Sequence, residues 1–154
     1  MLNQSRFRGA KILLARNNFG CGSSREHAVW AIRQYGFRAV IAPWQDRGGS
    51  RVPGFADIFR NNAAKNSLLA IELSEPEVEQ IFQMTERFSG LEATIHLEEQ
   101  RVTLHQAEEV SFHFDIDPAV KGRLVHGLDD IGSTLKYEEA IRSFEKQHDA
   151  QRYV

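Results

Sequence analysis

Two apolar rhythms divide this chain near Leu91. Before that residue, compact apolar runs alternate with stretches in which apolar positions return every three or four residues, the mark of strands leading into amphipathic helices. Ala10 to Ala15 reads as a short buried strand. Ala28, Ala31, Ile32 and Tyr35 share one face of a helix that Gly36 stops, and Phe37 to Ala42 reads as a second strand ended by Pro43. Phe55, Ile58, Phe59 and Asn62 suggest a second helix, and Ser67 to Leu73 a third strand. Ser74-Glu75-Pro76-Glu77 is a capping box ahead of a third helix carrying Val78, Ile81, Phe82 and Phe88. From Leu91 the period falls to two: Ala93, Ile95 and Leu97, then Val102 and Leu104, then Val110, Phe112, Phe114 and Ile116. That alternation predicts a three-stranded antiparallel meander with one wet face. A last helix is expected from about Glu138 to His148, burying Ala140, Ile141 and Phe144. Two strands bracketing the first helix make a parallel unit with a right-handed crossover. The expected class is therefore α/β, with parallel βαβ units in a mixed sheet followed by the meander.

Candidate chemistry concentrates between the first strand and the first helix, in Asn17-Asn18-Phe19-Gly20-Cys21-Gly22-Ser23-Ser24-Arg25-Glu26-His27-Ala28. A glycine turn here runs directly into a helix start. The first N–H groups of a helix lack partners and its dipole is positive at that end, so a carboxylate or phosphate is attracted there. Ser23, Ser24 and Arg25 add donors and a charge. Familiar motifs fail at named positions. A dinucleotide fingerprint using Gly20 and Gly22 needs a small residue where Arg25 stands, and a Walker loop needs Gly-Lys-Ser/Thr. A phosphatase cysteine needs arginine where His27 stands, and neither serine has the glycine bracket of a nucleophile elbow. A plainer arrangement is a capping box in which Ser23 caps the helix and Glu26 closes it. Capping leaves Ser24 and Arg25 available to a ligand, and the two glycines offer positive φ and close approach, which a simple cap does not require.

Composition limits the alternatives. A chain of 154 residues, 42% hydrophobic and 26% charged, suits one soluble domain with one core. A net charge of -2 argues against a general nucleic-acid or membrane surface. No stretch is apolar enough to span a bilayer, and Met1 to Gln4 lacks the apolar core of a signal peptide, so the cytoplasm is the default compartment. A single cysteine excludes an internal disulfide framework, and Cys21 is expected to be a small residue packed in the turn rather than a nucleophile. His96, His105 and His113 fall on neighbouring predicted strands, but each alternates with its strand's apolar positions, so solvated imidazoles are expected and no metal site. His27 is expected to orient the glycine turn. Trp44 to Gly54 reads as a flexible surface loop.

The chain resembles the small-subunit family of 3-isopropylmalate dehydratase, the swivel domain of the aconitase superfamily on a separate chain. Four blocks carry the resemblance: Ile12 to Ala28, Tyr35 to Pro43, Phe55 to Asn62, and Gly127 to Leu135. It implies a swivelling β/β/α domain over residues 1–154 that lacks the N-terminal segment usual in the family, with Trp44 to Gly54 inserted where relatives place one residue. It also implies a leucine-biosynthetic hydro-lyase that isomerises 2- and 3-isopropylmalate. In that family Ser23 aligns with the base that removes a proton beside a substrate carboxylate. Ser24 and Arg25 align with carboxylate binders, beside Gly22, and Gly20, Cys21, Glu26 and His27 support the turn. A [4Fe-4S] cluster serves as Lewis acid in the family, and with Cys21 alone this chain is expected to leave it to a large partner subunit. A non-catalytic or truncated binding module stays open as an alternative, as does a small subunit of a related hydro-lyase of homoaconitase or methylmalate type.

Overall fold

The computed structural model describes residues 4–22, 26–106, 108–127 and 130–149. Its elements run β1 (Ile12–Leu14), α1 (Glu26–Tyr35), β2 (Ala39–Arg47), β3 (Ser50–Val52), α2 (Asp57–Lys65), β4 (Leu69–Ser74), α3 (Glu75–Arg87), β5 (Glu92–His96), β6 (Arg101–His105), β7 (Val110–His113), α4 (Pro118–His126), α5 (Asp130–Leu135) and α6 (Glu138–Asp149).

β2 is the axis of the fold. It pairs in parallel with β1 from Ile12 and Ala39 onward, and with β4 from Ala39 and Leu69 to Trp44 and Ser74. A strand covered on both faces reads as a continuous apolar run, and Ala39 to Pro43 are buried without a break. Successive side chains serve opposite cores. Val40 and Ala42 pack with Val29 of α1 and with Phe55, Phe59, Ala63 and Leu68 around α2. Ile41 packs with Ile71, Leu73, Val78 and Ile81, and with Val102, Leu104, Phe112 and Phe114 of the meander. The capping box opens α3 as expected: the Glu77 carboxylate accepts from the Ser74 N–H at 2.8 Å and from its hydroxyl at 2.6 Å. β5, β6 and β7 form the antiparallel meander. Thr103 is buried on its outer face, where its hydroxyl meets that of Ser111 at 2.9 Å.

Four expectations change. β2 does not stop at Pro43: it continues to Arg47 and folds back as β3, so Trp44 to Gly54 is a β-hairpin and not a loose loop. Proline's fixed φ suits an extended strand at the loss of one donor, and Gly48 and Gly49 take φ +65° and +85°, the paired positive values that match strand twist in a two-residue turn. β4 starts at Leu69, because Ser67 adopts φ +53° where the chain turns out of α2. α4 and α5 add helices that hydrophobic spacing does not announce. Asp117 caps α4 by accepting from the N–H groups of Ala119 at 2.9 Å and Val120 at 3.1 Å, and Gly127 ends it in the left-handed region. α6 forms where expected, yet Phe144 is 60% exposed and Ala140 is exposed, leaving Ile141 half-buried. Its apolar stripe is turned outward and not into the core.

Candidate active site

The glycine turn leaves the C-terminal end of β1, the edge at which open α/β sheets collect ligands. Each residue approaching it is tied to a different element. Ala15 N–H donates to the Ile41 carbonyl at 2.8 Å, extending the contact of β1 with β2. Arg16 pairs with Glu79 at 2.5 Å and lies over the Phe82 ring at 4.2 Å, which anchors it to α3. Asn17 Nδ2 donates to the carbonyls of Pro43 at 3.0 Å and Pro53 at 3.1 Å. Phe19 N–H donates to Gly54 at 2.8 Å, and the Phe19 carbonyl accepts from Ala56 N–H at 3.0 Å. Its ring meets Phe59 edge-on at 5.1 Å.

Gly20 follows at φ +81°, and a Cβ there would stand 2.5 Å from both Cβ and Cγ of Phe59. The left-handed backbone and the close approach both require glycine. Gly22 differs from the expectation for the pair: it has no positive φ, and among the described residues a Cβ built on it meets nothing within 4 Å. Cys21 is exposed instead of packed, with its N–H donating to the Asn18 carbonyl at 3.3 Å. Ser23, Ser24 and Arg25 lie outside the described residues.

On the far side of these three residues α1 is tied as firmly. Glu26 Oε1 accepts from Asn66 Nδ2 at 2.9 Å, and the Trp30 indole N–H donates to Asn66 Oδ1 at 2.8 Å. One amide at the end of α2 thus grips the first two turns of α1. His27 stacks edge-on against Trp30 at 4.8 Å. The chain up to Gly22 and the helix from Glu26 are therefore each clamped, the first through Asn17 and Phe19 and the second through Asn66.

The other candidate groups sit apart. His105 engages Thr94 Oγ1 at 2.6 Å and Glu109 Oε1 at 3.0 Å with its two ring nitrogens. His96 and His113 flank Arg101 in register on the outer face of the meander, with His113 3.9 Å from Asp115. Among the described residues no group of three or more His, Cys, Asp or Glu side chains is placed to hold a metal. On the hairpin, Arg51 pairs with Glu72 at 3.3 Å and lies over Trp44 at 4.8 Å, while Arg47 donates to Gln45 Oε1 at 3.3 Å.

The chain is similar to known proteins. The aconitase C-terminal domain family matches residues 1–76, LeuD_N matches 79–118, and the C-terminal domain family of the 3-isopropylmalate dehydratase small subunit matches 130–152. A 3-isopropylmalate dehydratase small subunit of Desulforapulum autotrophicum is 50% identical over 144 residues, covering 94% of this chain and 67% of the relative. The chain belongs to the 3-isopropylmalate dehydratase small-subunit family. Another such small subunit, from Methylibium petroleiphilum, is 51% identical over 96% of this chain and 62% of its own length. A solved structure titled 3-isopropylmalate dehydratase from Methanocaldococcus jannaschii superposes with a TM-score of 0.57 at 26% identity, covering 87% of this chain and 68% of that one. The chain thus spans roughly two thirds of the length of these family members.

Sequence reasoning overlooked three supports of the small-subunit turn: Asn17, Asn66 and Phe59. Phe59 was legible as an apolar helical position, but not as the surface under Gly20. The two asparagines tie the turn and α1 to groups 26 to 40 residues away, and no local pattern records that.

Proposed function

We propose that this chain is the small subunit of a 3-isopropylmalate dehydratase, a hydro-lyase that interconverts 2-isopropylmalate and 3-isopropylmalate by dehydration and rehydration in leucine biosynthesis. The observation that carries the reading is the clamped glycine turn opening α1 at the C-terminal edge of the sheet, in a chain half identical to small subunits of that enzyme. In this reading residues 1–154 act as one swivelling domain that brings Ser23, Ser24 and Arg25 to a site completed by a large subunit. The apolar residues that α5 and α6 leave exposed, Ile131, Leu135 and Phe144, suit burial against such a partner.

The family resemblance supplies the roles of these residues. Ser23, as its alkoxide, takes the proton from the carbon beside a substrate carboxylate. The C–H electron pair becomes the new C=C bond, and hydroxide leaves the neighbouring carbon; rehydration returns the two with their positions exchanged. A serine alkoxide needs stabilisation, which the positive end of α1 and the Arg25 guanidinium supply. Arg25, the Ser24 hydroxyl and the Gly22 N–H hold the carboxylate through charge-assisted hydrogen bonds. Gly20, Cys21, Glu26 and His27 keep the turn in shape. Departure of hydroxide calls for a Lewis acid, the service of a [4Fe-4S] cluster with an open iron. Such a cluster needs several cysteine thiolates and this chain has one cysteine, so the group does not fit here and is assigned to the large subunit. Among the described residues no helix is long and apolar enough to cross a membrane, and we assign the assembly to the cytoplasm.

The test is reconstitution with a cluster-loaded large subunit, following absorbance of the unsaturated intermediate. Turnover that vanishes in Ser23→Ala while the complex still forms supports the reading. Arg25→Lys should raise KM about 10-fold or more through loss of a bidentate contact. Turnover that survives Ser23→Ala, or that never appears with the wild-type chain, overturns it.

A further inference from the structure

We propose that Asn17 is a positioning residue for the anion-binding turn, coupling it to the β2–β3 hairpin so that the seat of the hairpin sets the placement of the turn. The proposal rests on the dehydratase reading for its kinetic test, and on geometry alone for its structural one.

Asn17 commits its Nδ2 to two carbonyls, Pro43 at 3.0 Å and Pro53 at 3.1 Å. Pro43 lies on the outgoing strand of the hairpin and Pro53 just past its return, so the amide staples the neck. Backbone bonds continue the staple into the turn: Phe19 N–H reaches the Gly54 carbonyl at 2.8 Å and Ala56 N–H reaches the Phe19 carbonyl at 3.0 Å. Gly54 N–H in turn donates to Glu72 at 2.9 Å, the carboxylate that also holds Arg51 at 3.3 Å. Above the neck, the pairs Gln45 with Val52, Asp46 with Arg51 and Arg47 with Ser50 keep the hairpin ordered, and Asp46 Oδ1 accepts from Gly49 N–H at 2.7 Å.

Neck and turn therefore form one hydrogen-bonded body. Both carbonyls at the neck need N–H donors, which the Asn17 amide supplies. A carboxylate sets an oxygen against two carbonyl oxygens, and alanine leaves both acceptors without this donor. Because the turn reaches Gly20 only three residues later, a shift at the neck is passed to the groups that hold substrate, and misplacement of about 1 Å is enough to cost large factors in rate or binding.

The experiment compares Asn17→Ala and Asn17→Asp with Ser74→Ala, which removes the α3 cap but none of the hydrogen bonds of the turn, and so serves as a control for lost stability. In the complex with a cluster-loaded large subunit, both Asn17 variants should raise KM about 10-fold with kcat within about threefold, while Ser74→Ala leaves KM unchanged. In the isolated chain, hydrogen exchange at the Phe19 and Ala56 amides should quicken about 10-fold in the Asn17 variants and not in the control. A KM within twofold of wild type, or one matched by Ser74→Ala, overturns the proposal. Absence of wild-type turnover sinks the dehydratase reading instead. The exchange rates then decide the staple by themselves, and unchanged protection at Phe19 and Ala56 overturns it.

Discussion

Gly20→Ala isolates the packing on which the whole turn stands. An L residue held at φ +81° costs about 1 kcal/mol before any contact is counted. The added methyl would lie 2.5 Å from Cβ and Cγ of Phe59 and 2.8 Å from Cδ2. Those atoms are the near end of a ring that is 1% exposed, so it cannot swing away as the tip of a flexible side chain would. Overpacking of that kind costs about 1–3 kcal/mol, giving roughly 2–4 kcal/mol in total. For a chain of this size the loss corresponds to a fall in Tm of roughly 5–15 °C. Urea denaturation followed by circular dichroism should show the lower midpoint with an unchanged slope. In a Phe59→Ala background the cost of Gly20→Ala should shrink by about 1 kcal/mol, since Cγ and Cδ2 are gone while Cβ and the backbone strain remain. A loss below about 1 kcal/mol in the wild-type background, or full additivity of the two changes, refutes the close packing of the turn on α2.

Gly22→Ala should behave oppositely: stability stays within about 0.5 kcal/mol because no described residue lies within 4 Å of the new methyl, but KM in the reconstituted complex rises if, as proposed, the Gly22 N–H holds the substrate carboxylate. An unchanged KM removes Gly22 from the substrate site. Ser74→Ala should cost about 1 kcal/mol in urea titration by dissolving the α3 capping box. Asn66→Ala should cost about 1 kcal/mol and shift Trp30 fluorescence to the red, because the indole N–H and Glu26 lose their shared amide; Trp44→Phe as background makes the signal specific. No shift there discards the second clamp.

Much of the scaffold was legible because its signals are local. The period of 3.6 in α1 and α3, the period of two in the meander, and the Ser74 to Glu77 box each act within a few residues. The hairpin escaped because Pro43 reads as a stop, whereas β2 loses only one donor there and the Gly48-Gly49 turn supplies the return. α4 was hidden by a weak apolar stripe, although Asp117-Pro118 and Gly127 mark its two ends by capping chemistry. α6 misled in the other direction: its stripe is clear, but a stripe states that something should cover it and not that this chain does. At the site, the glycine turn was visible as a motif. The clamps that hold it were not, since Asn17 and Asn66 meet partners set by tertiary folding.

β2 carries rigid cargo at one end and variable cargo at the other. Below Pro43 its register is locked on both sides, and above Trp44 its only strand partner among the described residues is β3. An antiparallel ribbon can grow or shrink by pairs without rotating the strands beneath it. Length and side chains can thus change cheaply in this ribbon while the floor of the fold stays untouched.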